Sequence, residues 1–264
     1  MQIGLIPVNV GVDSAEKMIT LAQTAENAGL ESVWTFEHVI VPNEYESRYP
    51  YSPNGKMGTT PETNFIDPLI ALTLVAANTT KLRLGTGVNI LSQCNPLLLA
   101  KQAASLDLIS NGRFMLGVGI GWLREEFTAM GTPFERSDFL EWSGFKSYPV
   151  PTQKPHLPVH IGGTKGKAFE RIAKYGEGWF APTTNPDAIK PGLDQLKAAC
   201  AAEGRDIADV EVTSMWMFND DAYDNLKRFE DLGVARLICP LFGLGTRNPI
   251  EGIERLGNEL ISKL

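Results

Sequence analysis

Residues 82–120 read LRLGTGVNILSQCNPLLLAKQAASLDLISNGRFMLGVGI, and the pattern of this stretch decides the fold. Leu82–Val88 is a short apolar run of strand character, and Pro96 opens a helical window that closes at Asn111-Gly112. Arg113–Ile120 is a second strand-like run, rich in glycine. A strand, a helix and another strand in this order describe two parallel strands joined by a right-handed crossover.

The same unit repeats outward in both directions. Upstream lie a strand at Gln2–Pro7, a helix from Asp13-Ser14 to Gly29, a strand at Ser32–Phe36 and a helix from Asp67-Pro68 to Asn78. Downstream, a short helical piece at Leu123–Met130 precedes a strand at Pro158–Ile161 and a helix at Lys167–Tyr175. Strands follow at Gly178–Ala181, Val210–Met217 and Arg236–Cys239, each with a helix behind it: Pro186–Glu203, Asp220–Leu232 and Pro249–Leu264. Eight strands and eight helices in strict alternation over 264 residues predict a closed (β/α)8 TIM barrel of the α/β class. No linker or charge block interrupts the pattern, so residues 1–264 are expected to form a single barrel domain, with the fourth unit the most weakly written.

Composition excludes several function classes. A net charge of −7 leaves no basic face for phosphate neutralisation, so no nucleic-acid partner is expected. The three cysteines (Cys94, Cys200, Cys239) form no CxxC pair, which argues against a disulfide framework and a zinc site. No apolar run is long enough to cross a bilayer and the N-terminus lacks signal-peptide character, so no membrane partner and a cytoplasmic location are expected.

Active sites of parallel barrels lie where strands end and βα loops begin. Glu37 and His38 follow the second strand, and a histidine there can pass a proton near neutrality. His156, in a proline-rich loop, and His160, inside a strand and expected to face the helices, have weaker claims. Gly85-Thr86-Gly87-Val88 and Gly117-Val118-Gly119-Ile120-Gly121 bare the backbone at two strand ends. Two readings stay open: alternate glycines relieve crowding inside a barrel, or together they leave a flat slot for a planar ring. Gly162-Gly163-Thr164-Lys165-Gly166-Lys167 joins a strand to a helix start and offers backbone N–H groups to an anion such as a cofactor phosphate. Trp122 and Trp216 are marginal site candidates. The adjacent Glu125 and Glu126 at a helix start are explained by the helix dipole. The polar segment 37–63 is long enough to be a lid, and no metal-ligand cluster is visible.

These motifs resemble the luciferase-like monooxygenase family, and the wording GVGIGWLREEF, within the run from Asp107 to Phe127, is more similar to its coenzyme F420-dependent branch than to its FMN branch. Thr35–His38, Leu84–Val88, Pro158–Gly163 and Tyr175–Phe180 agree in order, so the resemblance covers nearly the whole chain. It implies a barrel holding coenzyme F420, with FMN as the alternative, and transferring hydride to or from a small organic substrate. It also implies a non-proline cis bond at Gly87–Val88 against the ring, His38 as the active-site histidine, and Gly162, Gly163 and Thr164 as the phosphate loop. The expected cofactor set is then Thr86, Gly87, Val88, Gly119, Gly121, Gly162, Gly163 and Thr164, with His38 and Glu37 catalytic. Family members are commonly homodimers, and an FMN-dependent monooxygenase would need a flavin reductase as partner. FMN members often place an arginine where Ile120 stands here, which favours F420. Relatives usually carry a further helix between the equivalents of Arg136 and Trp142, so the fourth crossover is expected to be shortened. That shortening leaves a catalytically inactive flavin- or ligand-binding barrel as a third reading.

Overall fold

The computed structural model describes residues 1–134 and 146–264. The expected shortening between Arg136 and Trp142 lies outside them. Among the described residues nine parallel strands run in chain order: β1 Gln2–Ile6, β2 Ser32–Thr35, β3 Arg83–Thr86, β4 Asn89–Ile90, β5 Phe114–Gly119, β6 Val159–Gly162, β7 Gly178–Ala181, β8 Glu211–Met215 and β9 Arg236–Pro240. β3 and β4 both pair with β5 and are two pieces of one stave, interrupted at Gly87–Val88. Eight staves therefore form the barrel, which closes where β1 pairs with β9 from Gln2↔Arg236 to Ile6↔Pro240. The third strand was expected to run unbroken to Val88; the structure ends it at Thr86, and the Gly87–Val88 peptide is cis.

The helices are α1 Ala15–Asn27, α2 Pro68–Asn78, α3 Pro96–Ile109, α4 Arg124–Ala129, α5 Lys167–Tyr175, α6 Pro186–Ala202, α7 Ala222–Asp231 and α8 Pro249–Glu259. Four of them begin with the same device, an Asp or Asn side chain capping the first N–H groups ahead of a proline: Asp67-Pro68, Asn95-Pro96, Asn185-Pro186 and Asn248-Pro249. Proline suits that position because its missing N–H would have no helical partner. α8 stops at Glu259 and passes into a single 3-10 turn, so it does not run unbroken to Leu264.

Alternation along the strands builds two apolar layers. Leu5, Val33, Leu84 and Leu237 face the helices, whereas Ile6, Trp34, Met115, Phe180 and Ile238 fill the barrel. Gln2, Arg83, Glu211 and Arg236 are the first residues of their strands and mark the opposite end of the barrel from the βα loops. There Arg236, fully buried, donates to both carboxylate oxygens of Glu31 (2.7 and 2.9 Å), to Gln2 Oε1 (2.8 Å) and to Glu211. A buried guanidinium needs such partners, and this end of the barrel is accordingly plugged.

Candidate active site

At the open end, Asn9 ties three loops together. Its Nδ2 donates to the carbonyls of Phe36 (2.8 Å) and Ile66 (2.6 Å), and its Oδ1 accepts from Phe36 N–H (3.0 Å). This fixes the point at which segment 37–63 leaves β2. Two residues later His38 Nδ1 lies 3.0 Å from Glu126 Oε2, with the His38 side chain 9% exposed and that of Glu126 fully buried. Phe65 and Trp122 meet the imidazole edge-on, at centroid distances of 5.4 and 6.0 Å. Glu126 Oε1 accepts from Val39 N–H (2.6 Å) and Ile40 N–H (3.3 Å). Burial pushes the Glu126 carboxyl up, but His38 and these two amides outweigh it and hold the group below the usual range, as a carboxylate. Among the described residues His38 Nε2 has no protein partner.

Glu126 was assigned to helix-dipole capping by its sequence; the structure corrects this. Neighbouring helical residues point about 100° apart, so Glu125 and Glu126 do not share one surroundings, and that doublet was the available signal.

The structure does not bring Glu37 and His38 together as a pair. Glu37 Oε1 accepts from Asn89 Nδ2 (3.0 Å) and its other oxygen from Ile90 N–H, so this carboxyl grips β4 just beyond the cis bond. Burial raises its pKa, against those donors. Thr86 is also engaged: its buried hydroxyl donates to Gly117 O (2.7 Å) and accepts from Gly117 N–H (2.9 Å), stitching β3 to β5.

The expectation of an open slot lined by bare backbone needs correction. A Cβ on Gly85 would lie within 2.6 Å of the Trp34 ring, and one on Gly117 would lie 1.8 Å from the Thr86 carbonyl oxygen. Those glycines relieve crowding inside the barrel. At the rim, Gly119 and Gly162 both face the Val88 side chain, at 2.6 and 3.3 Å from their would-be Cβ positions. Gly121, at φ +78°, faces Phe127 and Ile90, and Gly87 faces Phe180 and Ile6. Any planar group at this rim meets the half-buried Val88 and not a glycine floor.

The Gly162–Lys167 turn retains its donors. Gly163 sits at φ +136°, with its carbonyl accepting from Trp179 Nε1 (2.8 Å). α5 starts after Gly166 with no side-chain cap. Among the described residues the N–H groups of Thr164, Lys165 and Gly166 have no protein acceptor. Thr164 is exposed, and beside it a cavity of about 120 Å³ is lined by Trp179, Thr183, Ile189 and Gln195. This donor set suits an anion.

The other histidines lie elsewhere. His160 does not face the helices: it sits inside the barrel against Trp34 (6.0 Å, edge-on), with Nε2 3.6 Å from Glu211 Oε1. Burial depresses its pKa to about 4, which keeps it neutral. His156 is exposed and lies against Leu157 O. Trp216 is buried and donates to Ala222 O, a packing role.

Among the described residues no helix is long and apolar enough to cross a membrane, and no group of His, Cys, Asp or Glu could hold a metal ion. An uncharacterized protein of Mycobacterium tuberculosis is 30% identical over 245 residues, covering 83% of this chain and 83% of its own length. The coenzyme F420-dependent tetrahydromethanopterin reductase of Methanopyrus kandleri superimposes with a TM-score of 0.76 at 16% identity, over 99% of each chain. The oxygenating constituent of 3,6-diketocamphane monooxygenase from Pseudomonas putida, solved with FMN, gives 0.59 at 16% identity, over 87% of this chain and 71% of that one. The sequence model of the luciferase-like monooxygenase family matches residues 5–142 and 136–218, and with the closed barrel this shows that the chain belongs to that family.

Proposed function

We propose that this protein is an oxidoreductase that moves a hydride between coenzyme F420 and a small organic substrate, with His38 handling the accompanying proton. The observation that carries this reading is the His38–Glu126 pair at the open end of β2: Nδ1 is committed to a buried carboxylate, and Nε2 is left for a ligand. A histidine held this way accepts a proton at Nε2 when neutral and returns it when charged.

The Thr164–Gly166 amides and the Thr164 hydroxyl would hold the phosphate, and Val88 would support one face of the ring. The bound coenzyme would supply the carbon centre that takes or gives the hydride. Segment 37–63 would exclude water from the site. The preference for F420 over FMN draws on the wording around GVGIGWLREEF, on Ile120 at the end of β5, and on the greater likeness to the F420-dependent reductase.

Side-by-side equilibrium titrations with F420 and FMN test the assignment, followed by oxidation of reduced F420 with a panel of carbonyl acceptors. Saturable F420 binding with turnover supports it. Binding of FMN alone would transfer the reading to a monooxygenase fed by a flavin reductase. Binding without turnover on any acceptor would mark an inactive barrel.

A further inference from the structure

The segment 37–63 is fastened to α4 at two places by adjacent carboxylates. Glu126 takes the N–H groups of Val39 and Ile40, and Glu125 Oε1 takes those of Glu46 (2.7 Å) and Ser47 (3.0 Å). Arg124 N–H donates to Ser47 Oγ at 3.1 Å. Trp122, just ahead of α4, meets Tyr45 and Tyr49 edge-on at 5.7 and 5.1 Å and also touches the His38 ring. Residues 38–49 thus lie along residues 122–126, and the grip that reaches His38 is Glu126.

We propose that Glu126 is the positioning residue of His38, selecting its tautomer, and that the same carboxylate is one of two latches holding segment 37–63 against α4. The inference rests on the reading that His38 handles the proton. A carboxylate only accepts hydrogen bonds, so Glu126 Oε2 requires the proton of neutral His38 to sit on Nδ1. The lone pair is then on Nε2, the atom without a protein partner. Because Glu126 Oε1 is simultaneously bound to the lid backbone, the tautomer is chosen only when the segment is docked. Glu125 has no contact with the imidazole and latches the segment alone. Its carboxyl falls to about 2, burial being outweighed by the Ser47 and Glu46 donors.

Substituting Glu126→Gln makes a directional test. The Val39 and Ile40 N–H groups require the amide oxygen, which turns the amide NH2 toward His38 Nδ1 and makes that atom an acceptor. The proton moves to Nε2, and the free base is lost. Long-range ¹H–¹⁵N spectra of the full chain without cofactor read this directly. Only three histidines contribute, and His38→Asn assigns the signal.

The wild type is expected to show the Nδ1–H tautomer at alkaline pH, E126Q the Nε2–H tautomer, and E125Q the wild-type tautomer. Hydrogen exchange should rise at Val39 and Ile40 in E126A and at Glu46 and Ser47 in E125A, where the acceptor oxygen is removed. An Nε2–H tautomer in the wild type, which needs no variant to fold, overturns the proposal. So does a folded E126Q with an unchanged tautomer, or a folded E126A with unchanged exchange at Val39 and Ile40. Failure of the wild type to bind either cofactor while the Nδ1–H tautomer is present would overturn the functional reading and leave this positioning role supported.

Discussion

The indole of Trp34 occupies the place that a side chain on Gly85 would need: a Cβ built there lies 2.3 Å from Cε3 and 2.4 Å from Cδ2. Trp34 is fully buried, donates to Ser32 Oγ at 2.8 Å and leans on Phe180, so it has nowhere to retreat. Gly85→Ala is therefore expected to destabilise the barrel by about 1–3 kcal/mol through overpacking. In urea unfolding, combining it with Trp34→Phe should cost less than the sum of the two single changes. Strict additivity would show that the two positions do not compete for space.

The buried His160 gives stability a specific pH dependence. Its folded pKa of about 4 lies below the ordinary imidazole value, because burial outweighs Glu211 and Glu31, while Arg236 and Arg83 add to the depression. The unfolded chain therefore binds a proton near pH 6.5 that the folded chain refuses. Stability is fully present above that value and declines as pH falls toward 4, by up to about 3 kcal/mol from this group. His160→Gln should flatten the decline between those limits, measured by urea midpoints across the pH range. A slope unchanged in the variant would assign the loss to the carboxylates around Arg236.

For the proton-handling role, His38→Ala should lower turnover by about 10²–10⁴-fold while cofactor affinity changes little. Single-turnover kinetics and equilibrium titration separate the two quantities. Equal losses in both would make the residue structural.

The loop before α5 allows a contrast between backbone and side chain. Gly163 stands at φ +136°, and a Cβ there would lie 2.7 Å from the Ala168 Cβ. Gly163→Ala is therefore expected to lower stability by about 1–3 kcal/mol even without cofactor. Thr164 is exposed, so Thr164→Ala should leave the melting temperature in place and weaken cofactor binding about fivefold, the worth of one hydrogen bond. Full affinity in Thr164→Ala, together with full affinity in Lys165→Pro, which deletes one of the three free amides, would count against the anion assignment.

Much of this architecture was legible in one dimension. Pro68, Pro96, Pro186 and Pro249 and the glycines after α1 and α6 are local devices, and each marked its helix end correctly, while the Asn caps ahead of the last three prolines emerged only in the structure. His38, Val88 and the Gly162–Thr164 turn were placed at the rim for the same reason, since a strand end in a β/α alternation is a loop at the open face. The glycine runs misled because a missing side chain looks the same whether a ligand or the protein itself fills the space. Here Trp34, Thr86 and Val88 fill it.

The amino-acid order alone thus determined the periodicity, the helix starts and all the helix stops but that of α8, the parallel barrel and the ring of residues at its mouth, because each is written in the run of neighbouring residues. Only the closed barrel decided that Glu126, 88 residues away from His38, would be its partner, that Glu37 would grip β4, and that His160 would be sealed against Arg236 and Glu211. Those pairings follow from barrel closure and from the path of segment 37–63 across α4, and local spacing names the partner in none of them.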